Sequence, residues 1–185
     1  YMGEAPATLT LIRILPSLPI YFEVEPLGMI FALVASGLWI VTAIYSIGYM
    51  RGNHEVNQTR FYACFAIALA STMGVAFAAN LFTLFIFYEV LTLSTYPLVA
   101  HKGDAAAKRG GRIYLLTLLG TSIGLFLMAL MWTWALAGQN LDFVQGGLLA
   151  GYDIDPAVAT ALLILFAFGI GKAALMPFHF WLPNA

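Results

Sequence analysis

The sequence predicts an all-α protein that crosses a membrane several times. Of its 185 residues, 62% are hydrophobic and only 9% are charged, whereas an ordinary soluble domain is about 25% charged. A folded chain of this length cannot hide so much apolar surface from water, so lipid must cover part of it. The few charges also leave long uncharged runs, and the spacing of these runs predicts five transmembrane helices.

The first uncharged run predicts a span over residues 26–50. It is longer than the roughly 20 residues that a membrane-spanning helix needs. The segment before it contains Pro16 and Pro19 and alternates apolar with polar residues, which predicts a loop or a short extended ribbon on the membrane surface. We therefore expect an external segment, residues 1–25, and a membrane region, residues 26–185.

A second long run contains a single formal charge, at Glu89. As one helix, residues 61–101 would be about 62 Å long, twice the roughly 30 Å hydrocarbon core, so the run must fold back once. Asn80 is the expected corner because asparagine favours turns and helix N-caps. Two further apolar runs each predict one more span. The predicted helices are residues 26–50, 61–79, 81–100, 113–137 and 157–176.

Basic residues are concentrated in two of the predicted loops. Loops 51–60 and 101–112 hold six of the eight lysines and arginines, whereas the N-terminal segment and loop 138–156 are mainly acidic. The positive-inside rule predicts that the two basic loops are cytoplasmic. The N-terminus is then expected outside and the C-terminal end in the cytoplasm, and five alternating spans agree with this orientation.

Glu89 falls near the middle of the third predicted helix. An ionised side chain at that depth costs about 2.5–3.5 kcal/mol, which membrane proteins accept mainly where a bundle interior or an aqueous path receives the group. Thr92 and Tyr96 share its helix face, so their hydroxyls are expected to bind the carboxyl or an ordered water. The alternative is a permanently protonated structural glutamate that is hydrogen-bonded between helices.

Lys172 is the second ionisable residue inside a predicted span. Gly169 and Gly171 flank it and let another helix or water approach the backbone closely. Five residues later, Pro177 removes a backbone donor, which predicts that the last helix is broken there. Broken helices at membrane depth usually line cavities. The alternative is a lysine that snorkels to the interface. His179 follows the predicted break and is a candidate proton relay.

Several other classes of site are not expected. The net charge is −1, and eight basic residues on so apolar a chain form no stripe for nucleic-acid phosphates. One cysteine, Cys64, allows no internal disulfide. The three histidines lack the spacing of metal ligands. We therefore predict no nucleic-acid partner, no metal and no cofactor.

Two stretches, residues 81–89 and 171–185, resemble the antiporter-like membrane subunits shared by respiratory complex I, membrane-bound hydrogenases and Mrp-type multisubunit cation/proton antiporters. The second is the more specific, because Lys172 is followed five residues later by a proline and then by His-x-Trp-Leu-Pro. The departure is Asn184, where the family ordinarily has aspartate. The resemblance runs from about residue 20 to the end.

The resemblance implies a fold of about fourteen helices that contains two inverted five-helix repeats, of which this chain holds the N-terminal part. It matches Glu89 to the family's buried glutamate and Lys172 to its broken-helix lysine, the pair that drives proton translocation. It also implies a prokaryotic cytoplasmic membrane, other membrane subunits as partners, and protons and Na⁺ as the transported ions.

Residues 88–99, with the basic loop that follows, resemble most closely the D-type subunit of Mrp antiporters. The predicted function is therefore proton translocation within a monovalent cation (Na⁺)/H⁺ antiporter. The alternative is a proton-pumping subunit of an NADH:quinone oxidoreductase or a related hydrogenase. In either case the redox chemistry would belong to partner chains, so whether the complex is an enzyme stays open.

Overall fold

The computed structural model of the chain describes residues 6–184, which form a two-stranded hairpin followed by five helices. Residues 1–5 and 185 of the predicted segments lie outside this range. The strands are β1, Thr8–Leu15, and β2, Leu18–Glu23. The helices are α1 Pro26–Gly52, α2 Gln58–Ala76, α3 Leu81–Val99, α4 Ala105–Leu136 and α5 Pro156–Gly169.

The described part of the chain is mostly helical, and this confirms the predicted fold class. Helices α1 to α4 are long and apolar enough to cross a membrane. Helix α5 has only 14 residues, about 21 Å of rise, which is shorter than the roughly 30 Å hydrocarbon core. The fifth predicted span is therefore a short helix that continues as irregular chain.

The break in the last helix lies earlier than predicted. Helix α5 ends at Gly169, and a single 3₁₀ turn, Gly171–Ala173, follows it. The cause is a tertiary contact: the backbone N–H of Lys172 donates to the phenol oxygen of Tyr88 (3.2 Å) in place of the helical carbonyl four residues before it. The prediction of a break at Pro177 was wrong by several residues, because a proline rule cannot detect a competing acceptor on another helix.

Helix α4 begins at Ala105, eight residues before the predicted start at residue 113. Asp104 caps it, because its Oδ1 accepts a hydrogen bond from the N–H of Ala107 (2.6 Å). The predicted start follows the last basic residue of the segment 101–112. The helix itself begins earlier and includes part of this basic segment. Within α4 the segment Ser122–Phe126 is π-helical.

Asn80 forms the corner between α2 and α3, as predicted. Its Oδ1 accepts from the N–H of Thr83 (2.6 Å) and its Nδ2 donates to the carbonyl of Pro19 (2.9 Å) in the hairpin. The next residue, Leu81, donates its N–H to the carbonyl of Leu141 (3.0 Å). One buried side chain therefore starts α3 and ties that end of the bundle to the hairpin.

The hairpin is antiparallel, and β2 packs on the bundle. The N–H of Ala79 donates to the carbonyl of Tyr21 (3.2 Å). Burial, and then the neighbouring carboxylate of Asp142, raise the pKa of Tyr21 above its usual range, so its phenol stays a donor. Strand β2 is thus held against the α2–α3 corner by backbone and side-chain bonds, and β1 pairs with its other edge.

The apolar core lies between α3, α4 and α5. The ring of Phe126, in the π-helical segment, contacts the rings of Phe85 (5.5 Å between centroids), Tyr88 (5.7 Å) and Phe166 (5.9 Å) edge to face. This packing fixes the turn of α3 that carries both Tyr88 and Glu89.

Candidate functional site

Lys172 lies on the 3₁₀ turn that follows α5, directly against α3 and α4. A Cβ added at Gly169 would lie 2.6 Å from the backbone nitrogen of Phe126, and one added at Gly171 would overlap the hydroxyl of Thr121. Only glycine fits at these two positions without moving α4. The broken end of α5 can therefore approach α4 closely.

The Lys172 ammonium binds one turn of α3. Its Nζ donates to the backbone carbonyl of Tyr88 (2.8 Å) and to the hydroxyl of Thr92 (2.6 Å), and it lies 3.3 Å from the centroid of the Tyr88 ring. All three groups are uncharged. The lysine thus turns inward, toward α3, and the snorkelling alternative is not what the structure shows.

Glu89 is the next residue along α3, and its carboxyl points toward α4. Both carboxyl oxygens are buried and have no hydrogen-bond partner. The Ser122 hydroxyl, at the start of the π-helical segment, lies beside the carboxyl, yet it donates to the carbonyl of Leu119 (3.3 Å). A carboxyl that is buried without a partner is unusual, since buried polar groups are normally hydrogen-bonded.

The structure brings Glu89 and Lys172 to the same turn of α3 without pairing them. Among residues 6–184 no ion pair joins the two side chains, although they lie close enough to interact electrostatically. The turn presents Tyr88 toward the lysine and Glu89 toward α4. Two ionisable groups are therefore neighbours with separate local partners.

The other predicted site residues are placed differently from one another. Thr92 contacts Lys172 instead of Glu89. The Tyr96 ring packs beside Gly111, where an added Cβ would lie 3.0 Å from the ring. Pro177 and His179 are exposed, and in the described range no hydrogen bond or ion pair involves the His179 ring.

Two residues of the site were missed by the sequence analysis. Tyr88 supplies a carbonyl, a ring face and a hydroxyl to Lys172, and Ser122 is fully buried beside Glu89. Adjacent hydroxyl residues at Thr121 and Ser122 in the middle of an apolar span were a usable signal, because hydroxyls inside a membrane usually have partners across helices. Tyr88 gave no comparable signal.

Metal ligands do not cluster in this region. Within residues 6–184 no group of three or more His, Cys, Asp or Glu side chains is placed to hold a metal ion.

Comparison with known proteins finds two family matches, which cover different parts of the chain. Residues 78–185 match the family described as NADH:quinone oxidoreductase/Mrp antiporter, TM. Residues 16–62 match the family described as NADH-Ubiquinone oxidoreductase (complex I), chain 5 N-terminus. The match over residues 78–185 includes both Glu89 and Lys172.

Individual relatives come from both quinone oxidoreductases and antiporters. The chain is 29% identical over 172 residues to NADH-quinone oxidoreductase subunit N of Desulforudis audaxviator, covering 92% of this chain and 34% of that protein. It is 29% identical over 175 residues to NAD(P)H-quinone oxidoreductase chain 5 of Synechocystis sp., covering 89% and 24%. It is also 29% identical over 175 residues to the probable K(+)/H(+) antiporter A/B subunit of Rhizobium meliloti, covering 92% and 17%.

The chain thus spans about a third or less of the length of these relatives. The match over residues 78–185 covers more than half of this chain and includes the motifs from which the resemblance was predicted. The chain therefore belongs to the NADH:quinone oxidoreductase/Mrp antiporter family of membrane subunits.

Proposed function

We propose that this chain is part of a proton-translocating membrane subunit, and that Glu89 and Lys172 are the groups that gain and lose protons. The observation that carries the proposal is made at one turn of α3. There the buried Glu89 carboxyl has no hydrogen-bond partner, and the neighbouring Lys172 ammonium is bound by uncharged groups alone. A purely structural pair would be expected to satisfy each other, because leaving a buried polar group unpaired is costly.

The arrangement couples the two protonation states. A negative charge on Glu89 favours the ammonium form of Lys172, and a proton on Glu89 removes that support. Protons that arrive at one group therefore promote release from the other. The carboxyl has no competing hydrogen bond to lose when it gains a proton. The exposed imidazole of His179 is a proposed relay between Lys172 and water.

The reaction that drives or uses this proton movement belongs to the complete complex. We propose exchange of a monovalent cation such as Na⁺ for H⁺, on the basis of the resemblance at residues 88–99, in a multisubunit complex of a prokaryotic cytoplasmic membrane. The names of two relatives, which are quinone oxidoreductase subunits, support the second candidate, proton pumping coupled to quinone reduction. In both cases other membrane subunits are the partners.

The proposal predicts that changing either ionisable group stops proton movement. In the full-length protein within its complex, Glu89→Gln and Lys172→Ala should each lower proton flux per molecule by more than about tenfold, since a proton-transfer group typically contributes at least that much. Lys172→Arg should also be impaired, because guanidinium keeps its proton. The measurement is proton flux in inverted vesicles, divided by the amount of protein in the membrane.

Matched controls remove the same charges from exposed positions: Glu25→Gln at the start of α1 and Lys108→Ala in the first turn of α4. Near-normal flux per molecule in both Glu89→Gln and Lys172→Ala would contradict the proposal. Driving the vesicles first with a Na⁺ or K⁺ gradient and then with NADH and quinone separates the two candidate reactions, since only one of these should move protons.

A further inference from the structure

We propose that Tyr88 and Thr92 form a binding cradle on α3 that holds the Lys172 amine separately from Glu89, and that Thr92 is a positioning residue for the lysine in both of its protonation states. The inference rests on the proposed proton-transfer function of Glu89 and Lys172. It adds a binding site for the Lys172 amine that consists of uncharged groups and is separate from the Glu89 carboxyl.

The cradle matches the charged form of lysine. An ammonium has three N–H donors and no acceptor, and the structure offers three neutral acceptors: the Tyr88 carbonyl at 2.8 Å, the Thr92 hydroxyl at 2.6 Å and the Tyr88 ring face at 3.3 Å. Hydrogen bonds from a charged donor are roughly twice as strong as neutral ones, and a desolvated ring face adds to them. The ammonium is therefore satisfied without Glu89.

The Thr92 hydroxyl allows the same cradle to hold the neutral amine. Its oxygen lies 3.1 Å from the carbonyl of Tyr88, to which it donates, so its lone pair is free to accept from Lys172. A neutral amine has two donors and one lone pair, so three acceptors no longer suit it. Because a threonine hydroxyl hydrogen can rotate, Thr92 can then donate to the amine nitrogen while the heavy atoms stay in place.

The cradle is fixed in position before the lysine changes its charge. Tyr88 is only 7% exposed and packs edge to face on Phe126. Its phenol oxygen also accepts from the backbone N–H of Lys172. One tyrosine thus holds the lysine at its backbone and at its amine, so the broken end of α5 stays in register with α3.

The titratable groups around Lys172 are few. Helix α3 contributes Glu89 and Tyr88, and α4 contributes Tyr114, which is bound to the hydroxyl of Thr95 (2.6 Å). Helix α5 contributes none within Pro156–Gly169, and His179 is exposed. Among these groups Glu89 is the only carboxylate near Lys172. A change in the pH profile of a Thr92 variant therefore reports on Lys172 and Glu89.

The test compares variants of Thr92 in the full-length protein within its complex. Thr92→Val keeps the shape of the side chain and removes its hydroxyl. The ammonium form of Lys172 then loses more hydrogen-bond stabilisation than the neutral amine does. We expect flux per molecule to fall about tenfold, and the alkaline limb of the flux–pH profile to move about one unit toward lower pH. Thr92→Ser keeps the hydroxyl and should restore both the flux and the profile.

The matched control is Thr72→Val in α2, because the Thr72 hydroxyl also donates to the carbonyl four residues back (2.9 Å to Ala68) and has no role at Lys172. It should leave flux and profile unchanged. If Thr92→Val accumulates poorly, Thr92→Ala provides the same hydroxyl deletion in a smaller side chain, with flux again divided by protein abundance.

The outcomes separate this inference from the proposed function. If Glu89→Gln and Lys172→Ala abolish flux while Thr92→Val keeps the wild-type flux and profile, the cradle is overturned and the proposed function stands. A loss in Thr92→Val that is equal at every pH and is not restored by serine would show a merely structural role and also overturn it. If Glu89→Gln and Lys172→Ala keep their flux, the proposed function fails and the cradle fails with it.

Discussion

At the scale of single residues, the site depends on two consecutive side chains of α3 that serve different partners. Successive residues on a helix point about 100° apart, so Tyr88 meets the broken end of α5 while Glu89 meets α4. The lysine is held by a carbonyl, a hydroxyl and a ring, and the carboxyl by none of them. In the proposed function, this separation leaves each group free to gain or lose a proton without breaking a direct bond to the other.

The close approach of α5 to α4 predicts a large cost for any side chain at Gly169. Gly169→Ala places a Cβ within 2.6–2.8 Å of backbone and Cβ atoms of Phe126, which cannot swing aside as the end of a flexible side chain would. We expect a loss of about 1–3 kcal/mol of stability, as for other overpacked sites. The midpoint of thermal unfolding of the detergent-solubilised complex measures it.

The control for that substitution is Gly37→Ala in α1, where nothing lies within 4 Å of the added Cβ. It should leave the midpoint unchanged or raise it slightly, because alanine is the better helix former. Equal midpoints for the Gly169 and Gly37 variants would show that the contact with Phe126 is not tight.

At the scale of elements, α4 combines an ordinary helix with one π-helical segment. A π-helical turn interrupts the regular i→i+4 bonding and often occurs at functional sites. Here the segment Ser122–Phe126 places Ser122 beside Glu89 and Phe126 against Gly169. The irregular part of α4 thus faces both the carboxyl and the broken end of α5.

The corner before α3 predicts a second stability effect. Asn80→Ala removes an N-cap bond to Thr83 and the tie to Pro19 in a residue that is 1% exposed. We expect a loss of about 1–3 kcal/mol, since a cap is worth about 1 kcal/mol and the Pro19 carbonyl keeps only the longer bond from the Thr83 hydroxyl (3.4 Å). Rates of limited proteolysis in the hairpin, and the thermal midpoint, both report it.

Asn80→Asp provides the comparison, because it keeps the oxygen that caps α3 but replaces the donor to Pro19 by a second oxygen, which cannot bond to that carbonyl. It should recover part of the stability of the wild type. An Asn80→Ala protein as stable as the wild type would mean that the corner is held by the backbone bonds of Ala79 and Leu81 alone.

At the scale of the whole molecule, the two ends of the bundle differ in charge. At each end, polar contacts join the connecting segments to one another. At one end the hairpin, the α2–α3 corner and the loop after α4 are joined through Ala79, Leu81 and Asn80. At the other end, Arg60 donates to the carbonyl of His101 (3.3 Å), and the His101 ring lies 3.8 Å from Glu55. The acidic loops therefore share one end and the basic loops share the other.

This grouping supports a topology with the basic end in the cytoplasm, as the positive-inside rule predicts. In a Cys64→Ser background, an impermeant thiol reagent added to intact cells should label Val144→Cys and should not label Val56→Cys or Ala106→Cys. All three positions are exposed in the described chain. Labelling of Val56→Cys or Ala106→Cys from outside would reverse the proposed orientation.

The four long helices, the corner at Asn80 and the two ionisable residues were predictable from the sequence, whereas the short length of α5 was not. The reason is that lipid imposes strong and local constraints: a span must be apolar over a fixed length, a fold back needs turn chemistry, and a charge inside the core is rare enough to stand out. These constraints act on each segment by itself, so they can be read without knowing its neighbours.

The end of α5, the π-helical segment and the partners of each ionisable group were decided only by the tertiary structure. The α5 helix stops where the hydroxyl of Tyr88, 84 positions away, accepts the N–H of Lys172, and no local rule contains that acceptor. Helix spacing predicts that Thr92 binds Glu89, but in the structure its hydroxyl accepts from Lys172, which lies on the 3₁₀ turn after α5. Spacing along one helix fixes which side chains share a face, whereas the packing of three helices determines which group that face meets.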